Sequence, residues 1–179
     1  MWSPDGYGEA LRFAAERHGD QRMPGTGWPY VVHLTAVAAE VMAALTREPF
    51  AAPDLAVQCA LLHDTVEDTA TTAAEVAARF GAAVAAGVVA LSKDAAVAKA
   101  DRLADSLRRI RQQPPEVWIV KLADRVVNLE RPPAPWTGDK RRAYRAEAGE
   151  ILAALAAASP FLADRLRGRI ARYADYLEP

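Results

Sequence analysis

Side chains that bind metals or move protons are concentrated in one short stretch, from His63 to Asp68. It directly follows the apolar run Ala60-Leu61-Leu62, so it marks the end of a buried helix. The adjacent His63 and Asp64 can reach one metal ion if their side chains diverge from that helix end. If the helix continues, both would instead stack against Glu67, one turn away. In both geometries Glu67 and Asp68 are suited to holding a nucleophilic water molecule. The non-functional explanation of the stretch is a helix end whose acidic side chains are solvated.

A divalent ion needs more ligands than one His-Asp pair, and two further residues qualify. His33 stands at the predicted start of a helix, where a single histidine is more often a cap or a core residue. Asp124 and Asn128 are four residues apart and therefore share one helix face. Taken alone, Asp124 is explained by an ion pair with Lys121 or Arg125 on a surface helix. The hypothesis of a metal site depends on the combination.

The elements that must position these residues are predicted to be helices. The sequence is rich in alanine, the strongest helix former, and it has no hairpin signal and no strand-like alternation. We therefore predict one all-α domain over residues 1–179, a bundle of roughly eight to ten helices. Thr72 to Glu75 forms a capping-box pattern, and Gly81 stands where a helix should stop. The predicted helices span approximately 7–18, 31–47, 53–63, 73–80, 82–92, 95–112, 116–130, 139–158 and 160–177.

Composition excludes several classes of protein. The net charge is -1 and the pI is about 6.3, so the basic excess typical of nucleic-acid binding is absent. The single Cys59 excludes an internal disulfide framework and fits a reducing compartment. The N-terminus lacks the features of a signal peptide, and the small-apolar run 81–91 is too short to span a membrane. We expect a cytoplasmic protein with a small-molecule substrate, bound to neither nucleic acid nor membrane.

The ordered set His33, then His63-Asp64, then Asp124, with Glu67-Asp68 after the pair, resembles the HD-domain metal phosphohydrolases. The flanking segments are similar to the hydrolase domain of RelA/SpoT-type alarmone enzymes. Four segments carry that similarity: 17–22, 28–33, 60–69 and 120–125. Weaker likeness extends over 91–94 and 136–144, so the resemblance covers nearly the whole chain.

The resemblance implies a function and a set of roles. The family hydrolyses guanosine 3′,5′-bis(diphosphate), releasing pyrophosphate from the 3′ position, and its metal is Mn²⁺. By resemblance, Glu67 and Asp68 would orient and deprotonate the attacking water. The chain has no room for the synthetase and regulatory domains of the long enzymes, so a hydrolase-only member is expected. The remaining implied roles are metal ligation by His33, His63, Asp64 and Asp124, and substrate binding by Arg22 (purine), Asn128 (ribose or phosphate) and Tyr144 (pocket closure).

Two departures from the family pattern bear on specificity. Met23 replaces a basic residue, which changes the charge of the base or phosphate pocket, and Leu34 replaces a proline at a helix start. A second hypothesis therefore keeps the site but changes the substrate to an adenosine alarmone or the 2′-phosphate of NADPH. A third is a non-catalytic helical binding module with a relict site. We interpret His18 as a capping or loop-packing residue and Trp28 as a packing residue.

Overall fold

Helices are the main secondary structure of the described residues, as the alanine-rich sequence predicts. The structure is a computed structural model that describes residues 1–177, within which no strand longer than an isolated bridge between Arg22 and Pro29 occurs. This part of the chain contains two 3₁₀ turns, Ala156–Ala158 and Tyr173–Tyr176. Its α-helices are α1 Pro4–His18, α2 Val31–Leu45, α3 Pro53–Leu62, α4 Thr65–Asp68, α5 Ala73–Phe80, α6 Ala82–Leu91, α7 Arg102–Ile110, α8 Pro115–Asn128, α9 Gly138–Leu155 and α10 Pro160–Arg172.

Several helix boundaries follow from side-chain caps. The capping box at the start of α5 is confirmed, because Thr72 accepts from the Glu75 amide and Glu75 accepts from the Thr72 amide. Gly81 adopts a φ of 91° between α5 and α6, a conformation that residues with a Cβ rarely adopt. Ser159 caps α10 with Pro160 at its first position, as predicted.

Among the boundaries that differ from the prediction, two concern the site. The helix predicted to begin near residue 95 begins at Arg102, since Asp94 bonds the Ala96 amide and favours a turn there. The buried helix α3 ends at Leu62, and the chain turns through His63 and Asp64 before the single turn of α4. The side chains of His63 and Asp64 therefore diverge at a break between two helices.

Helix α8 lies at the centre of the fold. It packs against α2, α3, α9 and α10, and most of its apolar side chains lie in the core, with Trp118 and Val127 partly buried. Four charged residues of the same helix are also buried: Glu116, Lys121, Asp124 and Arg125. Buried charges must be paired or must bind a cation, so this central helix carries chemistry as well as packing. None of the helices in residues 1–177 is long and apolar enough to cross a membrane.

The packing of α6 against α3 and α8 gives a test of the fold. A Cβ added to Gly87 would lie 2.7 Å from Cys59 Sγ and 3.0 Å from a Val117 methyl group. Gly87→Ala should therefore lower the free energy of unfolding by about 1–3 kcal/mol. The matched control, Gly149→Ala in α9, meets nothing within 4 Å and should raise it by about 0.5–1 kcal/mol. Urea unfolding followed by circular dichroism measures both, and equal effects would contradict the packing.

Candidate metal centre and cleft

Four of the predicted residues meet at one point in the interior. His33 comes from the first turn of α2, His63 and Asp64 from the break between α3 and α4, and Asp124 from α8. The two Nε2 atoms, of His33 and His63, are 3.3 Å apart. Asp64 Oδ2 lies 2.9 Å from His63 Nε2 and 3.6 Å from His33 Nε2. Asp124 Oδ1 lies 3.5 Å and 3.8 Å from the same two nitrogens.

The orientation of the His63 ring indicates what the cluster is built to hold. Its Nδ1 lies 2.8 Å from the Ala60 carbonyl, which can only accept a hydrogen bond. In a neutral ring the proton is therefore on Nδ1, and the lone pair of Nε2 faces His33 and the Asp64 carboxylate. Lone pairs and carboxylate oxygens at these distances repel one another unless a positive charge lies among them.

The pKa values of these groups also indicate that the cluster favours a positive charge. Burial disfavours the imidazolium of His63, but the neighbouring Asp64 and Asp124 carboxylates outweigh it and raise the pKa to about 9. Burial also opposes ionisation of Asp64, yet the attraction of His63 lowers the pKa of that carboxyl below its ordinary value. The cluster thus stabilises positive charge. Such a donor set fits a divalent metal ion, which would replace the extra proton.

A metal ion could be held by His33, His63 and Asp64, whose ligand atoms all lie within 4.8 Å of one another. Asp124, on α8, adds a second carboxylate within 4 Å of both imidazole Nε2 atoms. Two nitrogen and two oxygen donors suit a borderline or hard divalent ion.

Three neighbouring side chains orient the two carboxylates. The Tyr30 hydroxyl donates to Asp64 Oδ2 at 2.6 Å, and Asn128 Nδ2 donates to Asp124 Oδ1. Lys121 Nζ lies 3.0 Å from Asp124 Oδ2. Although burial opposes ionisation of Asp124, this ammonium and the two histidines hold its pKa well below the ordinary value.

The sequence patterns assigned Tyr30 no role. The alternative explanation for Asp124, an ion pair with Lys121 on a surface helix, is correct about the pair but wrong about the surface, because both residues are buried. The available signal for Tyr30 was its position three residues before His33, at the same end of α2. Its role depends on a contact across 34 residues of sequence, which spacing alone does not reveal.

The predicted acid pair lies on α4, at the exposed edge of the cluster. Asp68 Oδ2 accepts from Gln21 Nε2 at 2.9 Å. Glu67 accepts from the Lys93 amide at 2.7 Å and from its ammonium at 3.1 Å, so Lys93 binds its carboxylate. Burial disfavours the charged form of Lys93, but Glu67 outweighs it and raises the pKa of Lys93.

A cleft of about 900 Å³ opens beside the cluster. Asp68, Tyr30 and His33 line it near the cluster, and the volume is within the range of small-ligand sites. The three predicted substrate residues, Arg22, Asn128 and Tyr144, all line this cleft, and so do Met23, Arg131, Trp136, Arg141 and Tyr176.

Two contacts hold the Tyr144 ring in the aromatic wall of the cleft. The Tyr144 ring packs edge-on against Trp136 with centroids 4.9 Å apart, and the Arg125 guanidinium lies 4.1 Å from its centroid. Trp28, by contrast, is 58% exposed, so it is not the packing residue that the sequence suggested.

Comparisons with known proteins agree with one another. A family model described as "HD domain" matches residues 10–161. Guanosine-3′,5′-bis(diphosphate) 3′-pyrophosphohydrolase MESH1 is 34% identical over 164 residues in both Mus musculus and Homo sapiens, covering 89% of this chain and 89% of each relative. The guanosine-3′,5′-bis(diphosphate) 3′-pyrophosphohydrolase of Aquifex aeolicus is 35% identical over 153 residues, which is 82% of this chain but 20% of that protein.

Solved structures share the fold. A metazoan ortholog of SpoT that hydrolyses ppGpp superposes with a TM-score of 0.83 at 24% identity, over 96% of this chain and 97% of that one. A Listeria monocytogenes protein superposes with a TM-score of 0.64 at 24% identity, over 83% of this chain and 99% of that one.

The cluster predicts how bound metal responds to substitution. Asp64→Ala removes one of the two carboxylates and leaves the imidazoles with too little negative charge nearby, so bound divalent metal should drop sharply. Elemental analysis after dialysis against Mn²⁺ measures it. The control, Asp164→Ala on α10, removes an exposed carboxylate that pairs with Arg167 and should leave the metal content unchanged. Full metal content in Asp64→Ala would mean that Asp64 is not a ligand.

Proposed function

Because the chain belongs to the HD-domain family, we propose that it is a metal-dependent hydrolase that removes the 3′-diphosphate from guanosine 3′,5′-bis(diphosphate) (ppGpp or pppGpp). The observation that carries the proposal is the convergence of two imidazoles and two carboxylates beside a cleft large enough for a nucleotide. Relatives that match most of the chain are named for this reaction. The expected compartment is the cytoplasm, where the buried Cys59 thiol stays reduced.

His33, His63, Asp64 and Asp124 are the proposed ligands, and Mn²⁺ is the proposed metal. When bound, the ion would act as a Lewis acid that acidifies water and offsets charge on the phosphoryl oxygens. Neighbouring residues of the chain orient those ligands through hydrogen bonds. Tyr30 and Asn128 hold the two carboxylates, and the Ala60 carbonyl holds the His63 ring.

Glu67 and Asp68 are the proposed catalytic carboxylates. Asp68 lines the cleft, so its carboxylate is the one placed to take a proton from the attacking water. Glu67 binds both polar groups of Lys93 and thereby ties the short helix α4 to the loop that follows α6. That contact fixes the position of α4, which carries Asp68 at the cleft.

The rest of the cleft is proposed to hold the nucleotide. Arg22 would lie against the purine, and Tyr144 would close the nucleotide pocket. Asn128 donates its amide to Asp124, which leaves its carbonyl free to accept from a ribose hydroxyl. Arg131 and Arg141 also line the cleft and would attract the phosphates of the substrate.

One observation favours a second candidate substrate in the same site. Met23 lines the cleft where the family commonly has a basic residue, so this wall carries one positive charge fewer. A nucleotide with fewer phosphates, or an adenine base, would lose less from that change. The presence of all four proposed ligands and both acids argues against a relict binding module.

A substrate panel tests the proposal. The Mn²⁺-loaded protein should release pyrophosphate from 3′-pyrophosphorylated guanosine nucleotides, with products separated by anion exchange. Release of phosphate from the 2′ position of NADPH, with no action on the guanosine compounds, would move the assignment to the second candidate. A metal-loaded protein that turns over no nucleotide in the panel would contradict the hydrolase.

A double substitution separates catalysis from metal binding. Glu67→Gln with Asp68→Asn preserves shape but removes proton acceptance, so kcat should fall by about 10²–10⁴ with KM nearly unchanged and metal retained. The control is Glu150→Gln with Asp164→Asn, which removes two exposed carboxylates on α9 and α10 and should leave kcat unchanged. Wild-type turnover in the first variant would contradict the roles of Glu67 and Asp68.

A further inference from the structure

The side chain of Gln21 links the proposed catalytic acid to a buried histidine. Gln21 Nε2 lies 2.9 Å from Asp68 Oδ2, and Gln21 Oε1 lies 2.7 Å from His18 Nδ1. His18 is the last residue of α1 and only 5% exposed. The chain of contacts therefore runs from the interior, through one amide, to the edge of the cleft.

The chemistry of the three groups fixes the direction of both hydrogen bonds. An ionised carboxylate only accepts, so the Gln21 amide nitrogen must face Asp68 and its carbonyl must face His18. His18 Nδ1 therefore carries the hydrogen. The reversed amide would place its oxygen against a carboxylate oxygen at 2.9 Å, which is repulsive.

The His18 ring is itself immobilised. It stacks on Tyr30 with centroids 4.8 Å apart and planes inclined by 25°. Its Nε2 is buried and has no hydrogen-bond partner in residues 1–177. The ring therefore makes its one hydrogen bond through Nδ1, to Gln21.

We propose that His18 and Gln21 are positioning residues for Asp68. Asp68 is exposed and lies at the end of a helix of one turn, so its carboxylate has little else to hold it. The Gln21 amide anchors Oδ2, while Oδ1 accepts no hydrogen bond from the described residues and is left for water. The inference rests on the proposed function, in which Asp68 acts on the attacking water.

Substitution of Gln21 gives the primary test. Gln21→Leu removes the donor at a partly exposed position where folding should be preserved, so Asp68 should sample orientations away from the cleft. We expect kcat to fall by about 10- to 100-fold, with KM and metal content close to the wild type. A wild-type kcat in Gln21→Leu would overturn the inference.

A matched pair at His18 separates the hydrogen bond from packing. Asn and Leu have similar size, but Asn keeps an N–H near the position of Nδ1. His18→Leu should therefore lose kcat as Gln21→Leu does, whereas His18→Asn should stay within about threefold of the wild type. Equal losses in the two variants would show a packing role only, and would overturn the inference for His18.

The double variant tests whether the two residues act in series. His18→Leu combined with Gln21→Leu should have the kcat of Gln21→Leu alone, because the histidine acts only through the amide. If the double variant instead loses kcat by the product of the two single losses, His18 does not act through Gln21.

A readout independent of activity tests the hydrogen-bond chain itself. With three histidines in the sequence, the ring nitrogens of His18 can be assigned by ¹⁵N NMR, and a hydrogen on Nδ1 is expected. A hydrogen on Nε2 alone would contradict the hydrogen-bond chain from His18 through Gln21 to Asp68. If the wild type turns over no nucleotide, the proposed function fails; if it does and Gln21→Leu matches it, the positioning role alone fails.

Discussion

Two imidazoles and two carboxylates share a volume of a few ångströms in the interior of this protein, and that juxtaposition constrains everything around it. The Nε2 atoms of His33 and His63 face each other while Asp64 and Asp124 approach from two sides. Without a positive charge among them, the lone pairs and carboxylates repel and lose hydration as well. A divalent ion relieves both costs at once.

The fold supplies what such a cluster needs. Helix α8 lies at the centre of the core and brings Asp124 to the cluster together with Lys121 and Asn128, which satisfy the carboxylate oxygens. The break after α3 presents His63 and Asp64 side by side, and Tyr30 fixes the orientation of Asp64. The buried polar groups of the cluster are therefore paired, a condition under which a polar core stabilises one arrangement instead of several.

The sequence predicted local features more accurately than long-range ones. The capping box at Thr72 and the proline start at Pro160 involve neighbours within a few residues, and both are confirmed. The helix predicted from residue 95 was wrong at its start, because composition favoured helix while the Asp94 turn and the Lys93–Glu67 contact hold that segment irregular. The likeness to HD-domain enzymes singled out residues that the fold brings together. The partners Tyr30, Gln21 and Lys93 were missed because each acts across 26 or more residues.

The central claim is that the His33, His63, Asp64 and Asp124 cluster is a metal site, and the most direct measurement is anomalous X-ray diffraction from crystals grown with Mn²⁺. One strong anomalous peak is expected within bonding distance of both Nε2 atoms and of an oxygen from each carboxylate. A crystal in which these four side chains bond only to one another, with no anomalous peak among them, would contradict it.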